Sequence, residues 1–282
     1  MNNDNSVKAM VQEKYSAIAR QEKETNESSC CGSGCCTTEN SAIMADEYSD
    51  LAGYNPDADL GLGCGLPTQF AKIKKGDVVI DLGSGAGNDA FIARYETGET
   101  GKVIGIDFTP AMIERARHNA EVRGFQNVEF RQGDIEKMPV TSNIADVIVS
   151  NCVLNLVPNK DGVFKEIYRV LKPGGHFSIS DIVLVGELPD TIRNAAEMYA
   201  GCISCAIQKE VYLELIEANN FKGLTIQKEK TINVPDDILR NYLSEDQIAA
   251  FRNSGTGIYS ITVYAEKPVA GEAACCEPGC CN

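Results

Sequence analysis

The sequence predicts an α/β fold: a mainly parallel sheet with helices on both faces, followed by a smaller C-terminal α+β region. Three observations predict it. Short continuous apolar runs alternate with helical stretches between residues 76 and 185. A glycine-rich turn follows directly on the first run. After Pro189 the alternation gives way to helical sequence and then to strand-like alternation. Continuous apolar strands separated by helices mean a sheet covered on both sides. The 282 residues suffice for one large domain, or for a core with an appendage.

Taken in order, Val7, Met10, Val11, Tyr15 and Ile18 recur at helical spacing and predict an amphipathic helix lying on the core. Residues 21–40 are polar and read as a flexible arm. Gly53 to Pro67 is glycine-rich and turn-like. Val78-Val79-Ile80 is the first strand, followed by a helix near 88–95. Val103 to Ile106 is the second, followed by a helix around 110–123. Val128 to Phe130 and Ala145 to Val149 are the third and fourth, with a helix near 160–171 after the latter. His176 to Ser180 is the fifth. Residues 191–220 read as helices; Leu224 to Ile226 and Ile258 to Ala265 read as strands, the latter able to close a sheet edge. These boundaries divide the chain into an N-terminal helix and arm (1–40), a core (41–185), a cap and C-terminal region (186–267) and a cysteine-rich tail (268–282).

Charge narrows the partners. Lys plus Arg number 26 and Asp plus Glu 40, a formal net charge of −14. Such a surface repels phosphate backbones and anionic lipid, so no nucleic acid and no membrane partner is expected. No run of about 18 apolar residues spans a bilayer. The polar start, Met1 to Asn5, lacks the basic and apolar regions of a secretory signal, so a cytoplasmic protein is expected.

Asp81-Leu82-Gly83-Ser84-Gly85-Ala86-Gly87 follows the first strand. Its glycines let the backbone turn sharply and approach a ligand. A dinucleotide fingerprint counted from Gly83 needs glycine at 88, where Asn88 stands. Asp107 ends the second strand, placed to bond ribose hydroxyls. With Gly133-Asp134-Ile135 after the third strand, Asn151 after the fourth and Leu171-Lys172-Pro173-Gly174-Gly175 before the fifth, the chain resembles the Rossmann-like class I S-adenosylmethionine (SAM)-dependent methyltransferases. That resemblance implies SAM as cofactor. It places Asp81 near the methionine part and Asp107 at the ribose, with Gly83, Ser84, Gly85 and Phe108 also among the cofactor-binding residues. Asp134 and Ile135 frame the adenine, Met112 either packs on it or fills core, and Asn151 lies beside the site.

The twelve cysteines point to the acceptor. Four lie in Cys30-Cys31-Gly32-Ser33-Gly34-Cys35-Cys36 and four in Cys275-Cys276-Glu277-Pro278-Gly279-Cys280-Cys281. Cys64, Cys152, Cys202 and Cys205 lie within patterned sequence. If Asn151 borders the cofactor, Cys152 lies at the same edge of the sheet, where a flap with Cys64 and a cap with Cys202 could meet it. Three thiolates there would hold a thiophilic trivalent ion such as arsenite, whose lone pair needs no general base. Leu62-Gly63-Cys64-Gly65, Ser150-Asn151-Cys152-Val153-Leu154-Asn155-Leu156-Val157 and Gly201-Cys202-Ile203 resemble the arsenite methyltransferases over residues 7 to 267. The resemblance implies that Cys64, Cys152 and Cys202 bind trivalent arsenic. It also implies that one of Cys30, Cys31, Cys35 or Cys36 forms a turnover disulfide, reduced again by thioredoxin or glutathione. A methyltransferase for an organic acceptor and a thiol-rich sequestration protein remain alternatives.

Cys205 is expected to pack, although three residues from Cys202 it is also a spare ligand candidate. His118, among Arg115, Arg117 and Asn119 on a solvated helix face, and His176 are expected to be structural. Asp181, at the end of strand five, either lines the site or caps a turn. The paired Cys-Cys-x-x-Gly-Cys-Cys clusters fit thiol capture of arsenite on a tether, or metal scavenging.

Overall fold

The computed structural model describes residues 2–21, 46–188, 206–234, 236–241 and 243–269. Its centre is a seven-stranded sheet: β1 (Val78–Leu82), β2 (Lys102–Asp107), β3 (Val128–Gln132), β4 (Ala145–Asn151), β5 (Leu171–Val185), β6 (Lys222–Ile232) and β7 (Gly257–Glu266). The strand order is β3-β2-β1-β4-β5-β7-β6, with β7 antiparallel to both neighbours and the rest of the sheet parallel.

The described helices are α1 (Asn2–Ile18), α2 (Pro67–Phe70), α3 (Asn88–Thr97), α4 (Pro110–Val122), α5 (Lys160–Val170), α6 (Lys209–Ala218), α7 (Asp236–Leu239) and α8 (Glu245–Asn253). Side chains alternate across a strand, so each buried strand feeds two cores. Ile80, Leu82, Ile104, Ile106 and Ile148 pack with Val163, Phe164 and Ile167 of α5. Val79, Val103, Val147 and Val149 pack with Phe91 of α3 and Met112, Ile113 and Ala116 of α4. On the α5 face, Phe164 lies 6.1 Å from Phe177 and 5.7 Å from Tyr212, ring centre to ring centre. Each parallel strand therefore ends at one common edge, and the crevice beyond that edge is where such sheets bind ligands.

Several expectations change. β7 does not close the sheet; it is inserted between β5 and β6, and β6 forms the edge. The division at residue 185 therefore does not separate two sheets. β5 begins at Leu171, so Leu171 to Gly175 opens the strand with a register shift rather than preceding it. Asp181 and His176 consequently lie inside β5. Two neighbours are the reason: the ten pairs with β7 run from His176 to Val185, and Ala145 of β4 pairs with Leu171 at the start. Met10 is 64% exposed, because α1 turns Val11 inward instead. Asn119 is buried and donates to the Ala86 carbonyl at 3.1 Å, while His118 is exposed as expected. The arm at 22–45, residues 189–205 and the tail from 270 fall outside the described residues. So do Cys30, Cys31, Cys35, Cys36, Cys202, Cys205 and the C-terminal cysteine cluster.

Candidate functional site

At the carboxyl ends of β1 to β4 lies a cavity roofed by α1 through Lys8, Val11 and Tyr15. It is lined by all ten residues picked out for the cofactor: Asp81, Gly83, Ser84, Gly85, Asp107, Phe108, Met112, Asp134, Ile135 and Asn151.

The turn after β1 explains its shape. Gly83 and Gly85 both have positive φ, +65° and +51°. A Cβ on Gly83 would stand 2.3 Å from Val153, whereas one on Gly85 would meet nothing within 4 Å and project into the open space. The first glycine thus permits close packing of the turn, and the second leaves backbone exposed to a ligand. Asp107 Oδ2 accepts the Gly85 N–H at 3.0 Å and Oδ1 the Thr109 N–H at 2.8 Å. The Thr109 hydroxyl also bonds this carboxylate, which retains acceptor capacity for one further donor.

The cavity is acidic. Asp81 is buried and its carboxyl is raised well above the usual carboxylate range, first by loss of water and then by the charges of Asp89 and Asp107. Burial also raises Asp107, against the two backbone N–H groups that lower it. Asp81 Oδ2, Ser84 Oγ and Asn88 Oδ1 are buried with no hydrogen-bond partner among the described residues. Buried polar atoms without partners are costly, and a set of them around one cavity marks where a ligand supplies the missing contacts. SAM fits this donor set. A ligand with positive charge, hydroxyls and a flat base would satisfy the carboxylates, Asp107 and the apolar wall of Met112 and Ile135. Lys8 reaches Asp134 at 2.6 Å and also pairs with Glu136, fastening α1 across that end.

The sulfur side adjoins this cavity. Cys152 lines it directly, with a left-handed backbone at φ +61°. A non-glycine residue there costs about 1–3 kcal/mol and persists only where its surroundings enforce it. Here the Cys152 N–H donates to the Ser180 carbonyl at 2.8 Å, and the chain then enters a 3-10 turn at Leu154–Leu156. Cys64 is 1% exposed and belongs to the same apolar cluster as Cys152. Its N–H donates to Asn151 Oδ1 at 3.0 Å, and its carbonyl accepts Ser260 Oγ at 2.6 Å. Two of the three expected sulfur ligands are thus brought to one edge. Cys202, the third, lies outside the described residues.

Sequence reasoning missed Tyr48, Asn88 and Asp89, which line the cavity as well. Asp89 stands in the first turn of the helix after the glycine turn, a position a closer look at that turn could have found. Tyr48 has no local signal, since it arrives from a segment before β1. Asp181 does not line the cavity. It is fully buried on the α5 and α6 side, 3.3 Å from the Tyr212 hydroxyl, and burial pushes it up to about 7. His176 Nε2 sits 2.6 Å from the Ala71 carbonyl oxygen, in a structural contact away from the cavity.

This strand order, with an antiparallel β7 inserted beside β5 and a glycine turn at the ligand edge, defines the class I SAM-dependent methyltransferase fold. A methyltransferase-domain family profile matches residues 73–220. The chain is 38% identical over 272 residues to an arsenite methyltransferase of Halobacterium salinarum, covering 92% of this chain and 66% of that protein. It is 30% identical over 242 residues to one of Aquipseudomonas alcaligenes, covering 83% and 68%. The crystal structure of an arsenic(III) S-adenosylmethionine methyltransferase from Chlamydomonas reinhardtii superposes with a TM-score of 0.62 at 35% identity, covering 74% of this chain and 68% of that one. The chain belongs to the arsenite methyltransferase family. It spans about two thirds of the length of these relatives. No described helix is long and apolar enough to cross a membrane.

Proposed function

We propose that the chain transfers a methyl group from SAM to trivalent arsenic held by the sulfurs of Cys64, Cys152 and Cys202. The observation that carries this reading is Cys152. It is held in a strained conformation on the cavity wall, one residue past the asparagine whose amide anchors Cys64. SAM supplies an electrophilic methyl on a sulfonium. Asp81, Ser84 and Asn88 hold the charged and polar groups at the methionine end, and Asp107 holds the ribose. Arsenic bound by three thiolates keeps a lone pair, so the site needs no general base, and alignment of the two centres supplies the acceleration. The apolar cluster around Cys64 and Cys152, including Ile182, Leu184 and Ile258, keeps water from the sulfurs.

Turnover in this reading draws on one further cysteine, Cys30, Cys31, Cys35 or Cys36, and on thioredoxin or glutathione to restore the thiols. That requirement places the chain in a reducing compartment, the cytoplasm.

The test is incubation of the purified chain with arsenite, SAM and a thiol reductant, with arsenic species resolved by chromatography. Methylated arsenicals are expected from the native chain. In Cys152→Ser they fall to background while SAM still binds. Undiminished methylation by Cys152→Ser overturns the three-sulfur site. SAM binding without any methylated arsenic from the native chain overturns the arsenic assignment and favours an organic acceptor.

A further inference from the structure

Asp89 touches neither half of the proposed reaction's cysteine set, yet it sits where the two halves of the cavity join. Three side chains converge on its carboxylate. The Tyr48 hydroxyl lies 2.9 Å from Oδ2, Asn151 Nδ2 donates to Oδ2 at 3.2 Å, and Thr68 Oγ1 donates to Oδ1 at 3.4 Å. Asn151 Nδ2 also donates to the Gly65 carbonyl at 2.8 Å and to the Tyr48 oxygen. The other end of the same amide, Oδ1, accepts the N–H of Cys64. The network therefore runs Asp89–Tyr48–Asn151–Cys64, from the first turn of α3 to a sulfur-bearing loop.

The two ends of an asparagine amide are nearly the same size, and only the partners decide which end faces which way. Tyr48 is ambivalent, because its hydroxyl can donate or accept. An ionised Asp89 accepts its proton and turns a lone pair toward the Asn151 amide nitrogen. Without that acceptor the hydroxyl is left with the Gly65 carbonyl, 3.1 Å away, and Asn151. A hydroxyl that donates to Asn151 would turn the amide oxygen to Tyr48 and the NH2 group to the Cys64 N–H, donor against donor. The Gly65 carbonyl, which accepts from Asn151 at 2.8 Å, favours the native orientation, and Asp89 reinforces it because hydrogen bonds to an ionised acceptor are about twice as strong as neutral ones.

We propose that Asp89 is a positioning residue for arsenic: it reinforces the orientation of the Asn151 amide, which in turn holds the loop carrying Cys64. This rests on the three-sulfur reading above and adds to it the residue that preorganises one ligand. No described cation compensates Asp89. The ionisable and polar groups around it are Tyr48 and Asp59 before β1, Thr68 on α2, Asp81 on β1 and Asn151 on β4. Burial accordingly pushes Asp89 up to about 6, leaving it ionised at neutral pH and protonated in mild acid.

The test is calorimetric titration of the reduced full chain with arsenite and, separately, with SAM, across pH 5 to 8. Asp89→Ala weakens arsenite binding about tenfold at neutral pH, the lower end of what loss of a group supporting a ligand costs. SAM affinity moves less, and only through the Asp81 charge that Asp89 influences. Asp89→Asn, whose oxygen can still accept from Tyr48, recovers part of the loss. The difference between the native chain and Asp89→Ala narrows below about pH 6 to the level set by Asp89→Asn, where the native carboxyl is protonated and only a neutral oxygen accepts from Tyr48. A packing role alone would not produce that convergence. Cys64→Ser separates this proposal from the one beneath it. Loss of arsenite binding in Cys64→Ser, with native behaviour of both Asp89 variants, overturns the positioning role alone. Undiminished binding by Cys64→Ser overturns the three-sulfur site and this role with it. Loss of SAM affinity with arsenite binding intact makes Asp89 a cofactor residue and also overturns the proposal.

Discussion

The cofactor half and the sulfur half of the cavity share a wall, but they are built on different scales. Asp81, Gly83 to Gly85, Asp107 and Asp134 each stand within a few residues of the end of a parallel strand. Their positions follow from strand order, and the bond that shapes the turn spans only 22 residues, between Gly85 and Asp107, although Asp134 also meets Lys8 from 126 residues away. The sulfur half is assembled across the whole molecule. Cys64 and Asn151 are 87 residues apart, Ser260 and Cys64 are 196 apart, and Tyr48 joins Asn151 over 103. The difference teaches that a cofactor site can be carried by local turns, whereas a soft-ion site waits on the packing of distant segments.

Three experiments sharpen that contrast, beginning with the largest effect. Gly85→Val puts branched carbon into the open cavity at a left-handed position. SAM binding should fall to background by calorimetry, while the fold loses only about 1–2 kcal/mol of backbone strain energy and arsenite binding persists. Loss of arsenite binding as well would mean that the two halves do not fold independently.

A second effect comes from pH. Asp81 is raised by burial, so it is neutral below its shifted value and attracts a cation only above it. SAM affinity should rise with pH through that range, by at most about tenfold per unit, and then level off. The stability of the unliganded fold runs the other way. The native carboxyl holds its proton more tightly than the unfolded one, so stability falls as pH climbs from the ordinary carboxylate value, 3.8, toward the raised one. Opposite slopes for affinity and stability, measured on the same samples, are the expected result. Parallel slopes would remove Asp81 from the cofactor site.

The smallest effect is Ser260→Ala. It deletes one buried hydrogen bond to the Cys64 carbonyl, worth about 1 kcal/mol. Arsenite affinity should weaken several-fold with SAM affinity unmoved, because β7 touches only the sulfur half.

How much was legible beforehand follows the same line. The strand–turn–helix alternation is written in apolar runs and glycines, so β1 to β4, α3, α4 and α5 appear close to their expected places. The boundaries of β5 were not legible. His176 to Ser180 alternates apolar and polar residues, but its extension to Val185 depends on pairing with β7, more than 70 residues on, and its start at Leu171 on pairing with Ala145 of β4. The role of β7 itself was misplaced for the same reason. An alternating strand announces that it is half-buried, and says nothing about which neighbours flank it.

Among the site residues, the acids and glycines could be named because each follows a strand in a recognisable turn. Cys152 could be named because it adjoins Asn151. Asp89 carries a weak sign in its place after the turn, whereas Tyr48 carries none, since nothing near residue 48 indicates that its hydroxyl will meet β4. Chain order and residue chemistry therefore account for the sheet and the acidic edge of the cavity. Folding alone decided that Cys64 and Cys152 share an apolar cluster, that one asparagine amide meets both the Cys64 loop and Tyr48, and that the same amide donates to Asp89. Those contacts join segments separated by many tens of residues, and only a packed interior brings such segments within hydrogen-bond range.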